Sequence, residues 1–255
     1  MKKMIIQIYE VQDPAEAQAL IDLGVDHIGS VIVSEEKWKI PVIKETIAAV
    51  QSAAGKSSLI PLFNDPNSVI RALDYYGPDI VHFCEALADQ KDILGNCAHL
   101  IHLQENVKKR FPDIKIMRSI PIVQQGKKNS VATLEFSRRF EPVSDFFLTD
   151  TLLVKNDISQ LNRQPVEGFV GITGQTCDWQ VAKRLVQASH IPVILAGGIS
   201  PQNVIDAIRN VRPAGVDSCT QTNMVDQDGD PMRFKKDLNK VKRLVQTVRK
   251  IERLL

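Results

Sequence analysis

Eight times along this 255-residue chain, a short run rich in β-branched residues gives way to a helix start signal and then to an amphipathic stretch. The interval is about 25 to 35 residues. Strands separated by helical crossovers of this length pair in parallel, because a tight hairpin turn can only join antiparallel neighbours. The first unit runs from Met4-Ile-Ile-Gln-Ile-Tyr9 through Asp13-Pro14, a cap followed by proline at the first helical position, into a helix over Ala15 to Leu23 stopped by Gly24. The second pairs strand His27 to Val33 with a helix from Pro41 to Ser52, and the third pairs Ser57 to Phe63 with a helix that follows Asn64-Asp65-Pro66 and ends at Tyr76. Gly77-Pro78 then admits the fourth strand, Asp79 to Cys84, with its helix over Asn96 to Arg110.

Ile114 to Ile122 reads as the fifth strand, with Ser130 capping a helix that ends at Phe140, and Asp145 to Asp150 reads as the sixth. A polar, glycine-containing stretch from Thr151 to Thr176 follows before Asp178 caps the next helix, to about Ser189, and such a long irregular segment points to function. The seventh strand, Ile191 to Ala196, runs into Gly197-Gly198 with a helix starting at Ser200-Pro201, and the eighth is Gly215 to Thr220. An uninterrupted series of eight units favours a closed (β/α)₈ barrel over an open sheet, and the chain is close to the roughly 250 residues typical of that fold. One barrel domain over residues 1–255 is the expectation.

Bulk properties narrow the function. Thirty-two basic residues against 30 acidic ones leave a net charge of +2, so no global field attracts nucleic acid or an anionic membrane, and neither partner is expected. Basic residues from Arg233 to Lys250 interleave with Val241, Leu244, Val245, Val248, Ile251 and Leu254 at helical spacing, which predicts a terminal helix with a solvated basic face. The four cysteines, Cys84, Cys97, Cys177 and Cys219, form no C-x-x-C pair, so neither a zinc site nor a disulfide framework is expected, and no cofactor is called for. Nor do the aspartates of Val225 to Pro231 have calcium-loop spacing. The opening MKKMIIQIYEVQDP reads as a first strand rather than a signal peptide, and no run approaches the ~18 apolar residues of a membrane span, so a cytoplasmic location is expected.

In an eight-fold barrel the active site lies at the C-terminal ends of the strands, and phosphate is commonly held by the loops after strands seven and eight. Gly197-Gly198 lets backbone approach an anion, and a helix opening near Pro201 would aim free N–H groups at the same place. Ser218-Cys219-Thr220 adds hydroxyl and backbone donors.

These segments also resemble a known family. Gly171-Ile-Thr-Gly-Gln-Thr-Cys-Asp-Trp179 is similar to the G-x-x-G-K-x-x-D-W loop of phosphoribosylanthranilate isomerases, the tryptophan-pathway barrels. Pro192-Val-Ile-Leu-Ala-Gly-Gly198, Pro201-Gln-Asn-Val204 and Val211-Arg-Pro213 follow that family's next run, Val216-Asp217 matches the start of V-D-V-S-S-G, and Lys236-Asp237 the K-D before the last helix. The resemblance is strong from about Phe147 to Lys240 and weak elsewhere. It implies an Amadori rearrangement in which an aspartic acid protonates the sugar ring oxygen and a cysteine removes the C2 proton. Leu148-Thr149-Asp150-Thr151, similar to L-L-D-T, makes Asp150 the candidate acid, and a partly dry barrel mouth would raise its pKa.

The departures are as informative. Tyr9 stands where the family has its cysteine, and a phenol with an ordinary pKa of ~10 is a poor base. Glu10 is adjacent, although strand alternation would turn it away from the barrel axis. Cys84, ending the fourth strand, offers a thiol across the mouth or a buried small hydrophobe. The base is thus open among Tyr9, Glu10 and Cys84. Trp38 replaces the family's arginine after strand two, which removes a partner for the substrate's aromatic carboxylate, and Gln221 replaces the glycine of the phosphate loop. The expected site comprises Asp150, Tyr9 and Cys84 for chemistry, and Gly174, Gly197, Gly198, Asp217, Cys219, Thr220 and Gln221 around a small phosphorylated substrate. Two rivals stand beside isomerisation of phosphoribosylanthranilate: catalysis on another phosphorylated metabolite, and binding without catalysis.

Overall fold

In the computed structural model, which describes residues 3–87, 93–127, 131–153 and 168–254 (side chains of 93–96 excepted), eight parallel strands close into one barrel in chain order. They are β1 (Ile5–Ile8), β2 (His27–Ile32), β3 (Lys56–Pro61), β4 (Ile80–Phe83), β5 (Lys115–Val123), β6 (Phe146–Leu152), β7 (Val193–Leu195) and β8 (Gly215–Ser218). Closure is the pairing of β8 with β1, in a register that sets Gln7 opposite Asp217 and Ile8 opposite Ser218. Gly215 permits it: a Cβ there would lie 2.6 Å from Cβ of Ile5.

The helices around the barrel are α1 (Pro14–Asp22), α2 (Pro41–Ser52), α3 (Pro66–Tyr76), α4 (Ile93–Arg110), α5 (Thr133–Phe140), α6 (Trp179–Ala188), α7 (Val204–Val211) and α8 (Leu238–Glu252). Three begin as the sequence predicts, with a carboxylate taking an orphan backbone N–H: Asp13 from Glu16, Asp65 from Ser68, and Asp178 from Gln180 and Val181. Lys242, Arg243 and Lys250 of α8 are exposed while Val241, Leu244, Val245, Val248 and Ile251 are buried. Arg249 is part-buried on Asp26, Lys236 is buried ahead of the helix, and Leu254, expected on the apolar stripe, is exposed because it lies beyond the helix end.

Several boundaries differ from the sequence reading. Helix α4 starts at Ile93, before Asn96, and α5 starts at Thr133, while Ser130 lies outside the described residues, as do 154–167 of the long stretch after β6. Strand β8 stops at Ser218, and Thr220–Thr222 winds into a 3₁₀ turn instead of prolonging the strand. The insertion forms a small antiparallel ribbon, β9 (Asn223–Val225) with β10 (Pro231–Lys236). Its aspartates serve the turn, since Asp226 Oδ1 accepts from the N–H groups of Asp228 and Asp230. No described helix is long and apolar enough to cross a membrane.

Strand alternation sorts the side chains into two layers. Ile6 and Ile8 of β1, Ile120 and Ile122 of β5 and Val193 and Leu195 of β7 pack outward against the helices. Gln7, Tyr9, Ser58, His82, Met117 and Ser119 point inward, where Tyr9 Oη meets Ser58 Oγ at 2.6 Å and His82 Nδ1 at 2.8 Å, and His82 Nε2 meets Ser119 Oγ at 2.8 Å. The outer layer holds one buried ion pair: Arg118, fully buried between the rings of Phe83 and Phe140, binds Glu85 and donates from Nε to Gln104 Oε1 at 2.8 Å.

Candidate active site

The ten residues singled out for chemistry and binding come from five strand ends or their loops, yet all line one cavity at the C-terminal mouth of the barrel. Alternation explains the convergence. Leu148 and Asp150 of β6 share the inward face, as do Gln7 of β1 with Tyr9 just past its end and His82 of β4 with Cys84 just past its end.

Asp150 and Asp217 are the two carboxyls of the cavity raised toward neutrality. Burial raises the Asp150 carboxyl from the ordinary 3.8 to about 7, against the lowering effect of the Thr151 N–H, which donates to Oδ1 at 2.9 Å. Gly171 covers it: at φ +118 the loop passes so close that a Cβ would stand 2.8 Å from Asp150 Oδ2. Asp217, on β8, is raised to about 7 by burial, with the Asp150 charge adding to the effect and a hydrogen bond from Gln7 Nε2 (3.1 Å) opposing it.

The three base candidates from sequence fare differently. The Tyr9 ring leans over Gly29, where a Cβ would overlap it at 2.0 Å, and carries its hydroxyl down into the barrel toward Ser58 and His82. Burial pushes this phenol well above its usual range. Burial likewise pushes the Cys84 thiol up, helped by the neighbouring Glu85 charge, which opposes a thiolate there. Glu10 does line the cavity, contrary to the alternation argument, because β1 ends at Ile8 and Glu10 turns to φ 61. Its carboxylate is held by Arg233 of β10, whose Nε donates to Oε1 at 2.7 Å. His82 has both ring nitrogens engaged and is lowered to about 3 by burial, so it stays neutral.

The rim expected to hold phosphate is built from three loops. Gly174, Gly197 and Gly198 all have positive φ, and among the described residues no acceptor takes their backbone N–H groups. Gly197 and Gly198 have a packing reason as well, since Cβ atoms there would lie 2.3 Å from Thr151 Oγ1 and 2.7 Å from the Gln175 carbonyl carbon. The expected helix N-terminus is not free: α7 begins at Val204, and residues 200–203 form a turn in which Ser200 N–H donates to Asn203 Oδ1 at 2.9 Å. The third loop contributes Thr220 and Gln221. Gln221, where a glycine was anticipated, bridges the rim by donating Nε2 to the Gly174 carbonyl at 2.9 Å.

Sequence reasoning passed over His82, Thr173, Ile172 and the role of Gly171. Only Gly171 carried a signal, as the first glycine of the G-x-x-G loop. Trp38 does not line the cavity, packing edge-on to Tyr75 at 5.6 Å beneath Arg71. Among the described lining residues there is no lysine or arginine; the nearby cations are Arg233, on Glu10, and buried Lys236, whose Nζ donates to the Cys219 carbonyl at 3.2 Å. No described group of histidine, cysteine and carboxylate side chains could hold a metal ion.

Comparison with known proteins agrees with the barrel. The family model for N-(5'phosphoribosyl)anthranilate (PRA) isomerase matches residues 101–247, more than half of the chain. A protein of Methanosarcina mazei named N-(5'-phosphoribosyl)anthranilate isomerase 2 is 35% identical over 148 residues, 54% of this chain and 57% of its own length, so the match spans just over half of that relative. The N-(5'-phosphoribosyl)anthranilate isomerase of Methanosarcina acetivorans is 24% identical over 97% of this chain and 94% of its own. The crystal structure of the phosphoribosyl anthranilate isomerase from Thermotoga maritima superposes with a TM-score of 0.67 at 16% identity, covering 97% of this chain and 99% of that one, a likeness of fold. Barrel, cavity and family match converge, and the chain belongs to the phosphoribosylanthranilate isomerase family.

Proposed function

We propose that this protein is an isomerase of N-(5'-phosphoribosyl)anthranilate in tryptophan biosynthesis, carrying out an Amadori-type aldose–ketose rearrangement with Asp150 as the general acid. The observation that carries the reading is the state of Asp150: a carboxyl at the end of β6, roofed by Gly171 and titrating at about 7, can hold a proton for the ring oxygen at neutral pH. The unpartnered N–H groups of Gly174, Gly197 and Gly198, with Thr220 and Gln221, supply a neutral cradle for the substrate phosphate. Consumption of phosphoribosylanthranilate fluorescence by the purified protein tests the proposal. Turnover abolished by Asp150→Asn is expected, and no turnover at high enzyme concentration would overturn it.

One observation favours a second reading. The substrate named here carries both a phosphate and an aromatic carboxylate, while the described cavity wall offers carboxyls and no cation. A sugar phosphate without the second anion would suit that wall better. Thermal-shift measurements against a panel of phosphorylated sugars separate the two: stronger stabilisation by such a compound than by a phosphoribosylanthranilate analogue supports the second reading.

A further inference from the structure

An aldose–ketose isomerisation needs two proton-transfer groups, and with Asp150 as acid the cavity must still supply a base for C2. Each alternative is committed elsewhere. The Tyr9 hydroxyl is bonded to Ser58 and His82 below the mouth, His82 uses both nitrogens, and Glu10 is paired with Arg233. The Cys84 and Cys219 thiols are held in their neutral form by burial. Asp217 is different. It lines the cavity from the end of β8, one strand from β1, and its Oδ1 is fixed by Gln7 Nε2, which is itself set by contact of Gln7 Oε1 with His27 Nδ1 at 3.2 Å. Among the described residues its second oxygen accepts no hydrogen bond. A carboxylate so placed is a poor phosphate ligand, since two anions repel, but an oriented acceptor with one free oxygen suits proton abstraction.

Building on the isomerase reading above, we propose that Asp217 is the general base that removes the substrate's C2 proton. Asp150 gives its proton to the ring oxygen as the C1–O bond breaks, and the nitrogen lone pair forms C1=N. Asp217 then takes the C2 proton; the C2–H electrons form C1=C2 and the C1=N π pair returns to nitrogen. The enol gives up its hydroxyl proton, restoring Asp150, and C1 receives the proton held by Asp217, so the ketose forms with no oxidant or reductant. The two carboxyls share one cavity, with Lys236 on β10, Cys219 beyond β8 and Tyr9 on β1 as the other titratable neighbours, and near pH 7 one can be protonated while the other is not.

The test compares pH profiles and the isotope effect of C2-deuterated substrate in the wild type, Asp217→Asn, Asp217→Glu and Cys219→Ser. The expected wild-type kcat/KM profile is a bell centred near neutrality. Asp217→Asn should lower kcat by about 10²- to 10⁴-fold with KM little changed and should remove the acidic limb. Asp217→Glu should restore part of the rate together with that limb, which a purely structural role would not do. An active Asp217→Asn variant that keeps its acidic limb overturns the assignment, as does transfer of the whole effect to Cys219→Ser. An inactive wild type overturns the isomerase reading itself, and this assignment with it.

Discussion

Asp150 is held in a site that favours its neutral form, so it should cost stability whenever it is ionised, and replacing it should stabilise the fold in a pH-dependent way. Its pKa is raised from 3.8 unfolded to about 7 folded. Between those values the folded state binds more protons than the unfolded state, and stability falls as pH rises through the window. Below the unfolded value there is no penalty; above the folded value it is complete, on the order of 4 kcal/mol. Asp150→Asn keeps the shape and the acceptor for the Thr151 N–H, and removes the charge. The cost of burying an amide is the same at every pH, so the change in the variant's advantage isolates the ionisation. That advantage should grow by about 3 kcal/mol between about pH 5 and pH 8.5. The Asp217 carboxyl, relieved of the Asp150 charge, shifts the balance the same way. Urea unfolding of both proteins at the two pH values measures it, and at the higher pH the variant's Tm should lie roughly 10 °C above wild type. An advantage that does not change with pH would refute the claim that Asp150 is a desolvated carboxyl, and with it the physical basis of the acid role proposed for it.

Two further perturbations probe the surroundings. Gly171→Ala, at φ +118 and with its new Cβ 2.8 Å from Asp150 Oδ2, should displace the carboxyl and lower kcat by about 10²-fold while costing on the order of 1–3 kcal/mol of stability; steady-state kinetics alongside urea unfolding would show whether activity suffers more than the fold. Arg118→Met leaves Glu85 buried without its guanidinium and should cost about 3–5 kcal/mol, much of it recovered in the Glu85→Gln/Arg118→Met double variant; equal stability of the single variant and the wild type would rule out a buried charge at Glu85.

Much of the barrel was legible because its signals are local. Asp13-Pro14, Asp65-Pro66 and Asp178 start helices through contacts within three residues, and Gly77 stops one through its own left-handed backbone, at φ 54. Alternation placed Asp150, Tyr9 and Cys84 on inward faces for the same reason. Sequence rules failed where a competing contact intervened, near or far along the chain. Ser200 and Asn203 cap each other and delay α7 to Val204, and Glu10 leaves strand geometry and is drawn to Arg233, 223 residues away.

Hydrophobic period, capping chemistry and glycine placement act over a few residues, so the architecture and the strand ends that supply the candidate residues could be read along the chain. Tertiary structure alone decided what each site residue can do. Tyr9 and Cys84 sit at the anticipated positions, yet burial and neighbouring negative charge leave both protonated, while Asp217, first grouped with the phosphate rim, emerges beside Gln7 as an oriented carboxyl. The reason is physical: desolvation and charge coupling depend on what the other strands bring within a few ångströms, and that is set only when β8 closes on β1.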